Sequence, residues 1–446
     1  MPAVQPDPHN DAEIIIAPRW LIPVEPAATV LTEHVVVIHK GRIVAITPRS
    51  EARQHWPAGR WIERPDHALI PGLINAHTHA SMSLLRGSAD DLPLETWLNE
   101  HIWPAEARWV SREFVRDGAD LAILEMIRGG TTCFHDMYLF PDEVAAVAAE
   151  RGIRALSSII VLEIPTAWAT TVDEYLERGL VVHDRYREHP LIGTSFGPHA
   201  PYTVGDPALK RVLTLANQLD NIIQMHVHET AAEVKTAVAA TGKRPLTRLD
   251  ELGLLTPLLN AVHMTELTAA EIELLAKRGV SVIHCPESNM KLASGICPVS
   301  ELLAAGVNVA IGTDGAASNN DLDMFGEMRT AALLAKVATR NAANVPAATA
   351  LEMATINGAR ALGLDDRIGS LVPGKSADMV CVNLATPACQ PVHNALSQLV
   401  YSASREQVTD VWVAGRCLYS DDTFHTADAA EIMDLAEVWR MRMAIA

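Results

Sequence analysis

Eight short apolar runs rich in β-branched residues recur along the chain, at 68–77, 131–137, 154–161, 191–199, 222–229, 259–264, 280–286 and 307–314. Between them lie Ala/Leu/Glu-rich stretches of helical character, such as 114–128, 142–151, 207–219 and 269–277. A strand-then-helix rhythm of roughly 30–40 residues predicts βα units and a parallel sheet. Eight such units over about 250 residues are the size of a (β/α)8 TIM barrel, so the expected fold class is α/β. The flanks read differently. Short β-like runs at 14–21, 34–39 and 42–47 precede the barrel, and runs at 378–382 and 408–413 follow it, the last ending in the turn Ala414-Gly415-Arg416. Both chain ends are expected to pair into one small β-sandwich. The expected division is 1–67 for the N-terminal part of the sandwich, 68–366 for the barrel, and 367–446 for the rest of the sandwich plus a C-terminal helix. That helix, over 427–446, puts Ile432, Leu435, Val438, Trp439 and Met443 on or near one face and is expected to dock on the barrel.

Composition narrows the partners. Of 446 residues, 49% are hydrophobic and 20% charged, ordinary for a globular enzyme. A net charge of −18 opposes nucleic-acid phosphates and anionic membranes, so neither is an expected partner. A small neutral or cationic substrate suits the chain better. The polar, acidic N-terminus is unlike a secretory leader, and no apolar run approaches the ~18 residues of a membrane span. Six scattered cysteines without CxxC spacing fit free thiols in a reducing cytoplasm. Apolar loops and the apolar helix face leave self-association open.

In a TIM barrel the active site lies at the C-terminal ends of the strands. The first run ends in His77-Thr78-His79, the fourth in His199, the fifth in His226-Val227-His228-Glu229, the sixth in His263 and the eighth in Asp314. Residues i and i+2 of a strand point to one side, so His77 and His79 can reach a common point. Three imidazoles (His77, His79, His226) and one carboxylate (Asp314) make a nitrogen-rich shell for one divalent metal, zinc first, with room left for water. Such a metal lowers the pKa of a bound water toward about 7. Glu229 stands close enough to deliver a proton to a bound substrate, His263 can hold the water, and Asp314 can take a proton from it. No lysine ends the third or fourth run to bridge a second metal, so a mononuclear centre is expected. His228 reads better as a structural hydrogen-bonding group than as a fifth ligand. His135 reads as structural, and His284 as a weaker candidate for the pocket.

The motifs PGLINAHTHASMSLLRG, GTTCFHDMY, GPHAPYT, HVHET, AVHMT, HCPESNMKLASGICPV, GTDGAASNN and ATINGARALG resemble those of the amidohydrolase superfamily. Within it, the LLRG-to-WPAE segment and GTDGAASNN are similar to the branch of deaminases acting on 5′-methylthioadenosine and S-adenosylhomocysteine. The resemblance runs from about residue 12 to about 419. It implies a hydrolytic deaminase that attacks C6 of an adenine ring, with Glu229 protonating N1, Asp314 passing the water proton to the leaving amine, and His263 orienting the water. It further implies Glu106 as the carboxylate on the ribose hydroxyls, Trp97 packed against the nucleoside, His199 bonded to purine or sugar, and Ser318 in the pocket wall.

One departure bears on the substrate. Relatives that take S-adenosylhomocysteine use arginines after the third strand, whereas 155–177 here has no arginine or lysine and is apolar at Ile159, Leu162, Ile164 and Trp168. A carboxylate buried against such a wall lacks a partner, which favours 5′-methylthioadenosine. The competing enzyme reading is deamination or dechlorination of a bare heterocycle, guanine or s-triazine; Glu106 with Trp97 suits a ribose instead. A metal-binding protein without catalysis would be expected to lack Glu229 or His263.

Overall fold

The computed structural model describes residues 13–444, so nearly all of the polar N-terminal stretch, 1–12, lies outside it. Four strands come first: β1 (Ile14–Leu21), β2 (His34–His39), β3 (Arg42–Pro48) and β4 (Arg60–Pro71). The barrel follows with β5 (Leu73–Thr78), β6 (Thr131–Asp136), β7 (Arg154–Val161), β8 (Ile192–Pro198), β9 (Ile223–Val227), β10 (Leu259–His263), β11 (Ser281–His284) and β12 (Val309–Ile311). Returning to the first sheet are β13 (Met379–Asn383), β14 (Val408–Val413), β15 (Arg416–Ser420) and β16 (Thr423–Phe424).

The barrel strands are hydrogen-bonded in chain order from β5 to β12, every pair parallel. They are buried on both faces, which is why they read as apolar runs without alternation. Closure falls between β12 and β5. There Asp314 N–H donates to His77 O at 3.0 Å. The Asn75 side chain spans the same seam, donating to Thr313 Oγ1 at 2.7 Å and accepting from Thr313 N at 3.0 Å. Gly312 makes the approach possible, because a Cβ there would lie 2.7 Å from His77 N and 2.9 Å from His77 O. The closing seam thus runs through two of the expected metal ligands.

The smaller sheet has the order β16-β15-β14-β13-β4-β1-β2-β3, combining both chain ends. It curls round a core that includes Ile16, Val36, Ile38, Leu69, Met379 and Trp412. An Arg42–Ser376 bridge joins its two halves. Its other face is covered by a helix, Arg49–His55, through Ala52 and Trp56.

Two expectations need correction. The run 68–77 is not one strand: Ala68–Pro71 finishes β4 in the small sheet, and β5 begins after Gly72. No side chain fits at Gly72, where a Cβ would sit 1.9 Å from Thr132 Oγ1. The rest of β4 carries Pro65 and five charged residues or histidines, which hid it as a strand. The C-terminal helix spans Ala429–Ala444, and its docking stripe is narrower than expected. Ile432 and Trp439 are buried, Trp439 bonding Asp117 Oδ2 at 2.8 Å and packing edge-on to Phe114, but Leu435 is exposed. All six cysteines are free thiols. Among the described residues, no helix is long and apolar enough to cross a membrane.

Candidate metal centre and its cleft

His77 and His79 project from the end of β5, His226 from β9, and Asp314 from just beyond β12. Each offers one ligand atom, and these atoms all lie within 4.8 Å of one another. The closest approaches are His226 Nε2 to His77 Nε2 at 3.1 Å, and Asp314 Oδ1 to His79 Nε2 at 3.2 Å and to His77 Nε2 at 3.4 Å. Ligands placed ~2.0–2.1 Å from one metal stand about 3.3 Å apart, so the cluster matches the spacing of ligands around a single ion. The far nitrogens agree. His77 Nδ1 faces Gln224 Oε1 at 2.7 Å, His79 Nδ1 faces Met137 O at 2.5 Å, and His226 Nδ1 faces His199 O at 2.8 Å. Each Nδ1–H donates to an oxygen, which leaves Nε2 free to ligate. Gln224 itself is pinned, with its amide nitrogen 2.9 Å from Ala76 O and 2.8 Å from His135 Nδ1.

Asp314 is held on both oxygens. Gly315 N–H donates to Oδ1 at 2.9 Å, and the Ser288 and Ser318 hydroxyls donate to Oδ2 at 2.7 and 3.0 Å. Burial alone would raise its pKa, but the imidazoles of His77 and His79 hold it well below the usual carboxylate range. Glu229 behaves in the opposite way. Burial, helped by the Asp314 charge, pushes its carboxyl up to about 8, so it carries a proton at neutral pH. His263 turns Nδ1 to Asn289 Oδ1 at 2.9 Å and Nε2 toward Glu229 Oε1 at 3.9 Å. Burial lowers its pKa and keeps it neutral. His263 (φ 75°) and Asp314 (φ 64°) both occupy the left-handed region that non-glycine residues avoid. Strain of this kind persists only where the surroundings enforce it.

These groups open into one cleft enclosing about 920 Å³ of empty space, part of it continuous with solvent. His199 lines it, with Nδ1 3.0 Å from Thr203 Oγ1 and a pKa brought down to about 3 by burial. Trp97, Glu106 and Ser318 line it as well. Trp97 and Glu106 come from a helical segment that covers the cleft: a short turn Leu94–Thr96, a π-helical turn Trp97–Ile102, then the helix Trp103–Trp109. Trp103 N–H reaches back five residues to Leu98 O, and Pro104, which has no N–H, follows at once. The wider turn aims Trp97 and Ile102 inward.

The apolar wall is half as expected. Leu162 and Ile164 line the cleft, joined by Leu139 and Ile160. Ile159 instead faces Gly179 of the helix Val172–Tyr186, and Trp168 packs against Phe140. Alternation along β7 turns Ile159 outward and Ile160 inward. Among the described residues, the cleft lining includes no lysine or arginine.

Other histidines fall outside the reacting group. His228 bonds Glu266 O and accepts from Leu246 N, and His135 faces Ser158 and Ser195. His284 is buried and is not part of the cleft lining. Gln224, Ser288, Asn289 and Tyr138 were missed by the sequence reading. Gln224 alone left a signal, a polar residue two before His226 inside an otherwise apolar strand.

The profile described as "Amidohydrolase family" matches residues 68–418. The chain belongs to that family. A 5-methylthioadenosine/S-adenosylhomocysteine deaminase from Teredinibacter turnerae is 49% identical over 424 residues, covering 95% of this chain and 96% of the relative. A 5′-deoxyadenosine deaminase from Methanothermobacter thermautotrophicus is 46% identical over 369 residues, covering 83% of this chain and 86% of the relative. A crystal structure of an adenosine deaminase from Xanthomonas campestris with bound zinc superposes with a TM-score of 0.97 at 54% identity, covering 98% of this chain and 100% of that one.

Proposed function

We propose that the chain hydrolyses the exocyclic C–N bond of 5′-modified adenosines, 5′-methylthioadenosine first, giving the 6-oxo purine and ammonia. One observation carries the reading. A single cleft holds the His77–His79–His226–Asp314 ligand set, a protonated Glu229 beside it, the carboxylate Glu106 on the covering segment, and an apolar wall. Three imidazoles and a carboxylate suit zinc, the metal held by the Xanthomonas campestris relative. When bound, the metal supplies an acidified water at neutral pH.

The chain's own residues do the rest. Glu229 donates its proton to N1 of the purine, drawing electrons from C6. His263, fixed in one tautomer by Asn289, orients the attacking water with Nε2. Asp314, ionised and held by two hydroxyls, accepts the water proton and returns it to the departing amine. Glu106 reads the vicinal ribose hydroxyls. Trp97 packs on the nucleoside, His199 bonds its polar edge as a neutral imidazole, and Ser318 both lines the cleft and steadies Asp314. The wall of Leu139, Ile160, Leu162 and Ile164 suits a methylthio group and itself offers no cation to a homocysteine carboxylate.

The test is steady-state deamination of 5′-methylthioadenosine, S-adenosylhomocysteine and adenosine on metal-replete protein. Methylthioadenosine should lead in kcat/KM by at least about tenfold, roughly 1.4 kcal/mol of transition-state preference. Equal use of S-adenosylhomocysteine would overturn the preference. Failure of all three would return the bare-heterocycle reading to the front.

A further inference from the structure

Glu106 is held by Tyr138. The phenol follows directly on Met137, whose carbonyl orients the metal-ligating His79, and its ring lies 6.3 Å from the His79 ring. Across the cleft it donates to Glu106 Oε1 at 2.6 Å. This bond joins the barrel floor to the covering helix Trp103–Trp109. Tyr138 is 5% exposed, and both side chains line the cleft.

We infer that Tyr138 is a positioning residue for sugar recognition: its phenol turns and holds Glu106 so that the carboxylate meets the two ribose hydroxyls in one geometry. The inference rests on the deaminase reading and on Glu106 as the sugar ligand. Burial raises the Glu106 carboxyl, opposed by the Tyr138 hydrogen bond and the nearby His79, and the phenol is the donor in that bond. Burial and the nearby Glu106 charge push that phenol well above its ordinary range, which keeps it protonated. A carboxylate has about four lone-pair positions. With one taken by Tyr138, enough remain for two vicinal O–H groups. A charge-assisted O–H···O bond of this length is among the stronger fixed contacts a protein makes. Without it the Glu106 carboxylate loses a fixed donor and regains its rotamers.

The experiment compares wild type, Tyr138→Phe and Glu106→Ala on adenosine and on 2′,3′-dideoxyadenosine, with bound metal measured for each. The readout is the ratio of kcat/KM between the two nucleosides. Glu106→Ala should bring the ratio close to one. Tyr138→Phe, with full metal content, should lower it about tenfold, chiefly through KM for adenosine. An unchanged ratio in Tyr138→Phe alongside a collapsed one in Glu106→Ala overturns the Tyr138 role and leaves the sugar reading standing. Equal losses on both nucleosides make Tyr138 a merely structural residue and overturn it too. A wild-type ratio retained in Glu106→Ala defeats the sugar reading itself, and the inference with it.

Discussion

At the floor of the cleft every metal-facing histidine is fixed by a second hydrogen bond, to Gln224, Met137 O or His199 O, and Asp314 by three donors. At the mouth, Leu94, Trp97, Leu98, Ile102 and Leu162 are held by packing, Ile164 is exposed, and the buried indole N–H of Trp97 has no hydrogen-bond partner among the described residues. The floor sits on β-strands that close a barrel; the mouth sits on a helical cover and the segment after β7. The contrast follows from what each end must do. Ligands and proton donors work only within tenths of an ångström, which hydrogen bonds on rigid strands provide. A hydrophobic contact is non-directional, so the mouth can vary without harming the chemistry. On the proposed function, reaction type would therefore be written into the floor and substrate preference into the mouth.

The largest break is expected at Glu229. Glu229→Gln keeps shape and the metal ligands but removes the transferable proton. It should lower kcat by about 10²–10⁴-fold, some 3–5 kcal/mol, with metal content unchanged. The pH profile checks the sign. The group must be protonated to act, and its pKa is raised to about 8, so wild-type activity falls as pH rises through that value. The variant's residual activity should lose that limb. A Gln variant retaining more than about a tenth of kcat would remove Glu229 from the proton path.

Gln224 is the next step down. It is not one of the four candidate ligands; its Oε1 accepts from His77 Nδ1 at 2.7 Å, while its amide nitrogen is tied to Ala76 O and His135 Nδ1. Gln224→Leu should weaken metal affinity by about 10–100-fold, read by competition with a chelator, while activity at saturating metal recovers most of the way. Loss of activity that metal cannot restore would mean that Gln224 shapes the barrel interior and not the ligand.

The difference between floor and mouth also decided what the sequence disclosed. His77, His79, His226, His263 and Asp314 stand at strand ends, and a strand's two-residue period together with the barrel rule says where strand ends point. Their hydrogen-bonded supports carry no such pattern. Ser288 and Asn289 reach Asp314 and His263 from 26 residues away, and Gln224 reaches His77 across 147. Amides and hydroxyls have no spacing that marks them as partners before the strand register is known. Tyr138 stayed silent because its partner Glu106 lies 32 residues away on the covering helix Trp103–Trp109, while Tyr138 itself follows β6. The apolar wall was legible as composition but not as orientation: Ile159 and Ile160 are neighbours, and only Ile160 lines the cleft. Pro65 and the charges around it concealed β4; residues 65–67 fall where its pairing with β1 shifts register, between the Pro18/Arg64 and Trp20/Ala68 pairs.

The smallest effect should come from the mouth, and it tests the comparison most directly. Leu162 is partly buried, lines the cleft and makes no side-chain hydrogen bond. Leu162→Ala removes apolar surface that a methylthio group would cover and an adenosine 5′-hydroxyl would not. A loss of about 1 kcal/mol is expected, lowering the methylthioadenosine-to-adenosine ratio of kcat/KM by about fivefold. The adenosine rate, metal affinity and pH limb should stay as in wild type, because the hydrogen bonds that fix the floor run through other residues. A fall shared equally by both nucleosides would mean that the wall braces the chemistry, and that floor and mouth are coupled through β7 instead of being separable.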